Sequence, residues 1–172
     1  MKKIALLFTV LSALSWVALA AEEKESTKQS AKAKSSESAA EHIFVSPADL
    51  KWADAPPGLP PGAKMAVLEG DPTKKGPFTV RMQAPAGYKI PPHTHPTAEN
   101  ITVISGAFHL GMGEKFDETA GHELAVGGFA VMPAGMKHFA WSPGESIVQI
   151  HSQGPFAIKY LNPADDPRNV KK

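Results

Sequence analysis

Residues 87–106 read GYKIPPHTHPTAENITVISG and contain three side chains of metal-ligating type at short spacing. His93 and His95 are two residues apart, so in an extended strand they share one face, about 7 Å apart along the chain. Glu99 has the same parity four residues further on. Because imidazole and carboxylate groups are common metal ligands, this stretch predicts a metal site on one face of a strand.

A fourth candidate ligand, His138, ends a second segment bounded by glycine and proline. Residues 127–138 read GGFAVMPAGMKH, and the turn at Pro133 and Gly135 reverses the chain, which would bring His138 onto an adjacent strand. A lone histidine is more often structural than a ligand, and the alternative for His93, His95 and Glu99 is that they are satisfied polar residues without a metal; their spacing favours the metal. Three histidines and one glutamate suit a single divalent transition metal, namely Fe, Mn, Ni, Cu or Zn.

The remainder of the chain predicts an all-β fold. Phe78–Gln83 alternate apolar and polar residues, as a half-buried strand does. Roughly ten short strands recur at intervals of about 8 to 12 residues without helical periodicity, which indicates a sandwich or a small barrel. The four prolines between Pro56 and Gly62 predict a stiff surface connector.

Composition excludes some classes of function. The chain has 172 residues and a formal charge of +1. This charge gives no indication of nucleic-acid binding, which needs a clustered basic face. The chain has no cysteine, so neither a disulfide nor a cysteine-linked lipid can stabilise or anchor it. Stability must come from packing, and a bound metal would add to it.

The N-terminal residues predict export. Within residues 1–20, two lysines precede an apolar run, and Ala18 and Ala20 frame a cleavage site after Ala20. An uncleaved anchor is the alternative, but serines interrupt the run and leave it short for a bilayer. We therefore expect a bacterial protein that is periplasmic or secreted. After cleavage it would have no stable membrane insertion.

The boundary of the folded domain follows from composition. Residues 21–41 are rich in alanine, serine, glutamate and lysine and lack aromatic residues, which predicts a disordered linker. A charged helix is the alternative, because alanine, glutamate and lysine favour helices. Residues 42–172 then form one domain, with a motif core at about residues 62–161.

Together, the two segments resemble the signature motifs of the cupins. The first motif, G-x5-H-x-H-x3-E-x6-G, is matched at every fixed position between Gly87 and Gly106. The second, G-x5-P-x-G-x2-H-x3-N, is matched from Gly127 to His138, and Ser142 stands where the family has asparagine. That asparagine is not a metal ligand in the family, so the departure concerns a turn rather than the metal.

The resemblance implies a single-domain double-stranded β-helix, a jelly-roll barrel, often dimeric. It also implies one divalent metal inside the barrel, with the ligands His93, His95, Glu99 and His138. The proline- and glycine-rich leader is similar to that of small cupins related to the sensor cupin of zinc-dependent anti-sigma factors. Cupins include oxygenases, isomerases, binding proteins and storage proteins, so the fold alone names no reaction.

Two classes of function stay open. One is a metal-dependent enzyme, such as a dioxygenase or an isomerase, acting on a small molecule; the other is a non-catalytic periplasmic module that binds a metal or a small ligand. Gln149 and His151 alternate with Val148 and Ile150 on a predicted strand. They could orient the metal ligands or contact a substrate, and they are equally compatible with a solvent-facing position.

Overall fold

The computed structural model describes residues 42–169. The predicted signal peptide and linker, residues 1–41, lie outside the described residues, and both stay predictions. Within residues 42–169, no helix has the length and apolar character needed to cross a membrane.

The described residues form eleven strands and four three-residue 3-10 helices, with no α-helix among them. The all-β prediction is therefore confirmed. In chain order the strands are β1 (Ala53–Asp54), β2 (Lys64–Glu69), β3 (Gly76–Ala84), β4 (Tyr88–Thr94), β5 (Glu99–Ser105), β6 (Phe108–Met112), β7 (Gly121–Leu124), β8 (Phe129–Met132), β9 (His138–Ser142), β10 (Ser146–Gly154) and β11 (Lys159–Tyr160).

The strands pair in two antiparallel sheets. The six-stranded sheet has the order β1-β2-β3-β10-β5-β8, and the five-stranded sheet has the order β11-β4-β9-β6-β7. Strands far apart in sequence are neighbours in both sheets, β3 with β10 and β4 with β9. Connections of this kind between two antiparallel sheets form a jelly roll, so the predicted fold is confirmed. The described strands form two separate sheets. Of the two predicted alternatives, a sandwich and a small barrel, the sandwich is therefore the one observed.

The core lies between the sheets because each central strand alternates its side chains. On β3, Val80 and Met82 are buried and are register partners of Ile150 and Val148 on β10. Each such buried side chain stabilises the fold by about 1.5–3 kcal/mol relative to an exposed one. The core between the sheets is therefore built mainly from apolar side chains.

A cluster of aromatic rings lies on the outer side of the five-stranded sheet. Phe139 and Trp141 alternate with the inward-facing residues of β9, and their rings are 5.9 Å apart. A Cβ on Gly111 would lie 2.1 Å from Phe139, and one on Gly121 would lie 2.0 Å from Trp141. Any residue larger than glycine at position 111 or 121 would therefore clash with these rings. The inner face of β9 carries smaller side chains.

The cupin motif has asparagine at the position of Ser142, which put the following turn in question. Ser142 nevertheless stabilises that turn. Its hydroxyl donates to the carbonyl of Gly144 at 2.7 Å and lies 2.7 Å from the Ser146 hydroxyl. Gly106 packs against the same turn with φ of +72°, and a Cβ there would lie 2.3 Å from the Glu145 carbonyl oxygen. Serine thus ties the turn between β9 and β10, and glycine lets the neighbouring turn approach it.

Candidate metal centre

Three histidines converge between the sheets. His93, His95 and His138 are buried, and one ligand nitrogen from each lies within 4.8 Å of the others. His93 on β4 and His138 on β9 are direct register partners, with ring centroids 4.2 Å apart. His95 follows the end of β4, and its ring centroid lies 4.9 Å from that of His93. These three side chains can hold a metal ion.

A β-bulge turns His93 inward. On β4, Ile90 pairs with Ala140, and the next partner along β9, His138, pairs with His93. Between these two pairs, one residue on β9 (Phe139) therefore opposes two on β4 (Pro91 and Pro92), and the register shifts between Ile90 and His93. Strict alternation from the inward-facing Ile90 would point His93 outward. The bulge, which contains Pro91, reverses that parity, as an extra residue in one strand does.

Backbone carbonyls fix the orientation of all three imidazoles. A carbonyl oxygen only accepts, so each Nδ1 bonded to one carries the proton. Each Nε2 is then left with its lone pair, the form that binds a metal. The bonds run from His93 Nδ1 to the Pro91 oxygen at 2.7 Å, from His95 Nδ1 to the Ala157 oxygen at 2.8 Å and from His138 Nδ1 to the Met136 oxygen at 3.0 Å.

Glu99 joins the histidines from the opposite sheet. Its Oε2 lies 3.6 Å from His95 Nε2 and 3.5 Å from His138 Nε2. The chain leaves the five-stranded sheet after Thr94 and enters the six-stranded sheet at Glu99. The prediction that His93, His95 and Glu99 share one face of a single strand is therefore wrong, although the carboxylate does reach the histidines.

Burial keeps two of the histidines neutral. Burial first, and then the neighbouring His138 and His95, lower the pKa of His93 to about 2. Burial also lowers the pKa of His95, although the Glu99 carboxylate opposes that shift. Both imidazoles are therefore unprotonated at neutral pH without a metal, which is the state that metal binding requires. Three neutral imidazoles and one carboxylate fit a divalent first-row transition metal.

A cavity of about 180 Å³ adjoins these four side chains. Among the described residues that line it, Thr73 is the one further polar side chain. The apolar lining comes from both sheets and from three connecting segments: Pro56, Gly58, Leu59, Met65, Pro72, Phe78, Val80, Met82, Ile90, Ile101, Phe108, Leu110, Ala140, Val148, Ile150, Phe156 and Ile158.

The proline-rich connector, residues 56–62, forms part of this wall; we call it the strap. Two buried tyrosines hold it, since Tyr88 Oη donates to the Pro60 carbonyl at 2.7 Å and Tyr160 Oη donates to the Gly58 carbonyl at 2.9 Å. Burial raises the pKa of both phenols, so they stay protonated and can donate. The predicted surface connector is therefore also a wall of the site.

Gln149 and His151 lie on the outer face of β10, away from the cavity. Gln149 Oε1 accepts from Arg81 Nε at 2.9 Å, and its Nε2 lies 2.9 Å from His151 Nε2. His151 Nδ1 in turn lies 3.0 Å from the Thr79 hydroxyl. The positions of β10 that line the cavity are Val148 and Ile150, so the structure adopts the solvent-facing alternative for both residues.

Phe156 was not singled out from the sequence. Its ring stacks on His95 with centroids 4.4 Å apart and planes at 15°, and it meets Phe78 edge-on at 5.3 Å. The next residue, Ala157, supplies the carbonyl that orients His95. Only a short apolar run at the end of the chain signalled this segment, and it gave no indication of contact with the site.

The fold and the site together define a cupin. Residues 40–157, more than half of the chain, match the family described as the ChrR cupin-like domain. The chain therefore belongs to this cupin family, and the cupin resemblance is confirmed.

Curated relatives cover a smaller part of the chain. Germin-like protein 9-3 of Oryza sativa subsp. japonica is 37% identical over 68 residues, which are 39% of this chain and 31% of that protein. The chain thus spans less than a third of the length of the curated relatives it matches.

Solved structures share the fold at low sequence identity. The polyketide cyclase RemF from Streptomyces resistomycificus is similar with a TM-score of 0.60 and 18% identity, over 74% of this chain and 90% of that chain. A proposed acetylacetone dioxygenase from Methylibium petroleiphilum has a TM-score of 0.56 and 19% identity, over 74% and 85% of the two chains. Similarity at this identity shows the fold alone.

Proposed function

We propose that this chain binds one divalent transition metal through His93, His95, His138 and Glu99 and acts as a metal-dependent enzyme, such as a dioxygenase, on a small molecule. The observation that carries the proposal is the convergence of three buried imidazoles, oriented by backbone carbonyls, beside a cavity. Four protein ligands leave coordination positions for an exogenous molecule. The proposed dioxygenase of the same fold supports this choice of reaction.

The protein residues have separate roles in this proposal. When bound, the metal supplies Lewis acidity and, for a redox-active ion, electron transfer to dioxygen. The histidines bind it in their neutral form, and Glu99 supplies negative charge that offsets part of the metal's charge. Phe156 holds the His95 ring in place, and the apolar lining excludes water from the bound molecule.

A non-catalytic periplasmic module that binds a metal or a small ligand is the second candidate function. One observation favours it: among the described residues that line the cavity, no titratable side chain stands beside the four proposed ligands. A reaction that needs a separate general acid or base would find none there.

Metal content tests the proposal. Purified protein made without added nickel or zinc should contain close to one transition metal per chain, and His93→Ala should lose it. His109→Ala is the matched control, because His109 stacks on Trp141 on the outer side of the five-stranded sheet. Equal metal content in the wild type and His93→Ala would overturn the metal site. Oxygen consumption with a panel of small molecules then separates the enzyme from the binding module.

Export and assembly complete the proposal. The basic start, apolar run and cleavage site in residues 1–20 support export to the periplasm or exterior. Mass spectrometry of the exported protein should find an N-terminus at Ala21, and an intact N-terminus at Met1 would contradict cleavage. The homodimer implied by the cupin resemblance is tested by light scattering, where a monomeric mass would contradict it.

A further inference from the structure

The cavity beside the histidines restricts which molecules can reach them. We infer that the site takes an uncharged, mostly apolar molecule of about one ring in size, which turns a single oxygen toward the histidines. The orientation of the oxygen rests on the proposed metal site. The size and charge limits rest on the cavity alone.

Cavity volume sets the size limit. An apolar protein cavity of about 150 Å³ holds benzene. The cavity here measures about 180 Å³, so it has room for one ring with a short substituent. A three-ring molecule would need the strap or a strand to move.

Charge in the lining sets the second limit. Among the described lining residues there is neither lysine nor arginine. The basic residues nearest in sequence to the ligands are engaged elsewhere: Lys89 Nζ lies 2.7 Å from Glu118, and Lys137 pairs with Glu114. A phosphate group buried against apolar side chains would have no protein counter-charge, which costs several kcal/mol. Phosphorylated molecules and sugar nucleotides are therefore excluded.

The placement of polar atoms sets the orientation. Four of the five polar side chains that line the cavity are grouped at the proposed metal site, and the fifth is Thr73. Elsewhere in the lining, the six-stranded sheet presents Val148 and Ile150, whose side chains offer no hydrogen bond. A molecule with one oxygen and a hydrocarbon body therefore matches the cavity when its oxygen faces the histidines. Simple phenols and enolisable ketones have this chemistry.

Binding to metal-free protein tests the size and charge limits. We expect 4-methylphenol to bind chelator-treated protein and to shift the methyl NMR signals of Met82 and Ile90. The matched phosphate ester, 4-methylphenyl phosphate, and a three-ring flavonol should bind at least tenfold more weakly. Binding of the phosphate ester as strong as that of 4-methylphenol, or no binding of 4-methylphenol, would overturn the inference.

Metal-loaded protein tests the orientation. Metal should strengthen 4-methylphenol binding more than toluene binding, because only the phenol carries an oxygen. Equal strengthening would overturn the orientation. Failure of the proposed function is distinguishable: a protein that holds no metal but still selects 4-methylphenol contradicts the metal site and leaves the cavity limits standing.

Cavity variants tie the binding to this cavity. Val148→Phe should fill it and weaken 4-methylphenol binding at least tenfold, whereas Val131→Phe on the exposed edge strand β8 should leave binding unchanged. Folding is checked by thermal unfolding. If Val148→Phe does not fold, Met82→Ala decides, because the enlarged cavity should gain binding of 2-naphthol relative to 4-methylphenol. Unchanged selectivity in Met82→Ala would overturn the inference.

Discussion

His93 and His138 face each other across β4 and β9 only because the strand that carries His93 contains one extra residue. Without the bulge, the side chain of His93, three positions after the inward-facing Ile90, would point out of the sandwich. The imidazoles would then lie on opposite faces of the five-stranded sheet, and the cluster would have two histidines. The bulge is therefore a structural requirement of the metal site.

Deletion of Pro91 should abolish metal binding. The deletion removes the extra residue and restores strict alternation, so His93 turns outward. Pro91→Ala is the control, since it keeps the residue count and the carbonyl that accepts from His93 Nδ1. Metal content per folded chain measures both variants. A deletion variant that is folded and retains a full metal complement would contradict the role of the bulge.

Phe156→Ala should weaken metal affinity about 10- to 100-fold, as the loss of a group that orients a ligand does. The substitution removes the ring that stacks on His95 and leaves the bond to the Ala157 carbonyl to orient that imidazole. Competition with a chelator of known affinity measures the effect. Phe44→Ala is the matched control, because Phe44 is 93% exposed. Equal affinities in the two variants would show that stacking does not orient His95.

Acid should destabilise the metal-free protein through His93. The folded-state pKa of about 2 lies below the ordinary value of 6.5, so between these values only the unfolded chain takes up the proton. Stability from this residue is full above pH 6.5 and is lost as the pH falls toward the folded value, by about 1.4 kcal/mol per pH unit.

Urea unfolding at pH 7.5, 5.5 and 4.5 measures this loss. His93→Gln has no imidazole at this position, so its free energy of unfolding should fall less steeply than that of the wild type. Parallel pH profiles for the two proteins would show that His93 is protonated in the folded state.

Gly106→Ala should destabilise the fold by more than Gly87→Ala. Both glycines have positive φ, +72° and +74°, so both alanine variants carry the backbone strain of about 1 kcal/mol. At Gly106 the new Cβ would also lie 2.3 Å from the Glu145 carbonyl oxygen, whereas at Gly87 it meets nothing within 4 Å. Denaturant unfolding compares the two, and equal losses would mean that the turn at Glu145 yields freely.

The sequence allowed the ligand types and several strands to be predicted. The half-buried strand predicted at Phe78–Gln83 lies within β3 (Gly76–Ala84), because the alternation of apolar and polar residues is a local signal. The fixed spacing of His93, His95 and Glu99 is also local, and the residues do meet. Local patterns thus identified which side chains form the cluster.

Long-range pairing decided the rest. Parity along the chain could not show that Glu99 begins a strand of the opposite sheet, because sheet membership depends on partners such as Met132 on β8. The bulge before His93 depends on its register with β9. The stacking of Phe156 on His95 joins two segments far apart in sequence. None of these contacts leaves a periodic signal in one sequence.

Glu99 stands in the six-stranded sheet, whereas His93 and His138 stand in the five-stranded sheet. A metal held by these residues would be a cross-link between the two layers, in a chain with no cysteine to form one. Separating the layers and releasing the ion would then be a single event. Each tenfold rise in free metal above the dissociation constant would add about 1.4 kcal/mol to the free energy of unfolding. The free energy of unfolding of this protein would therefore follow the metal supply around it.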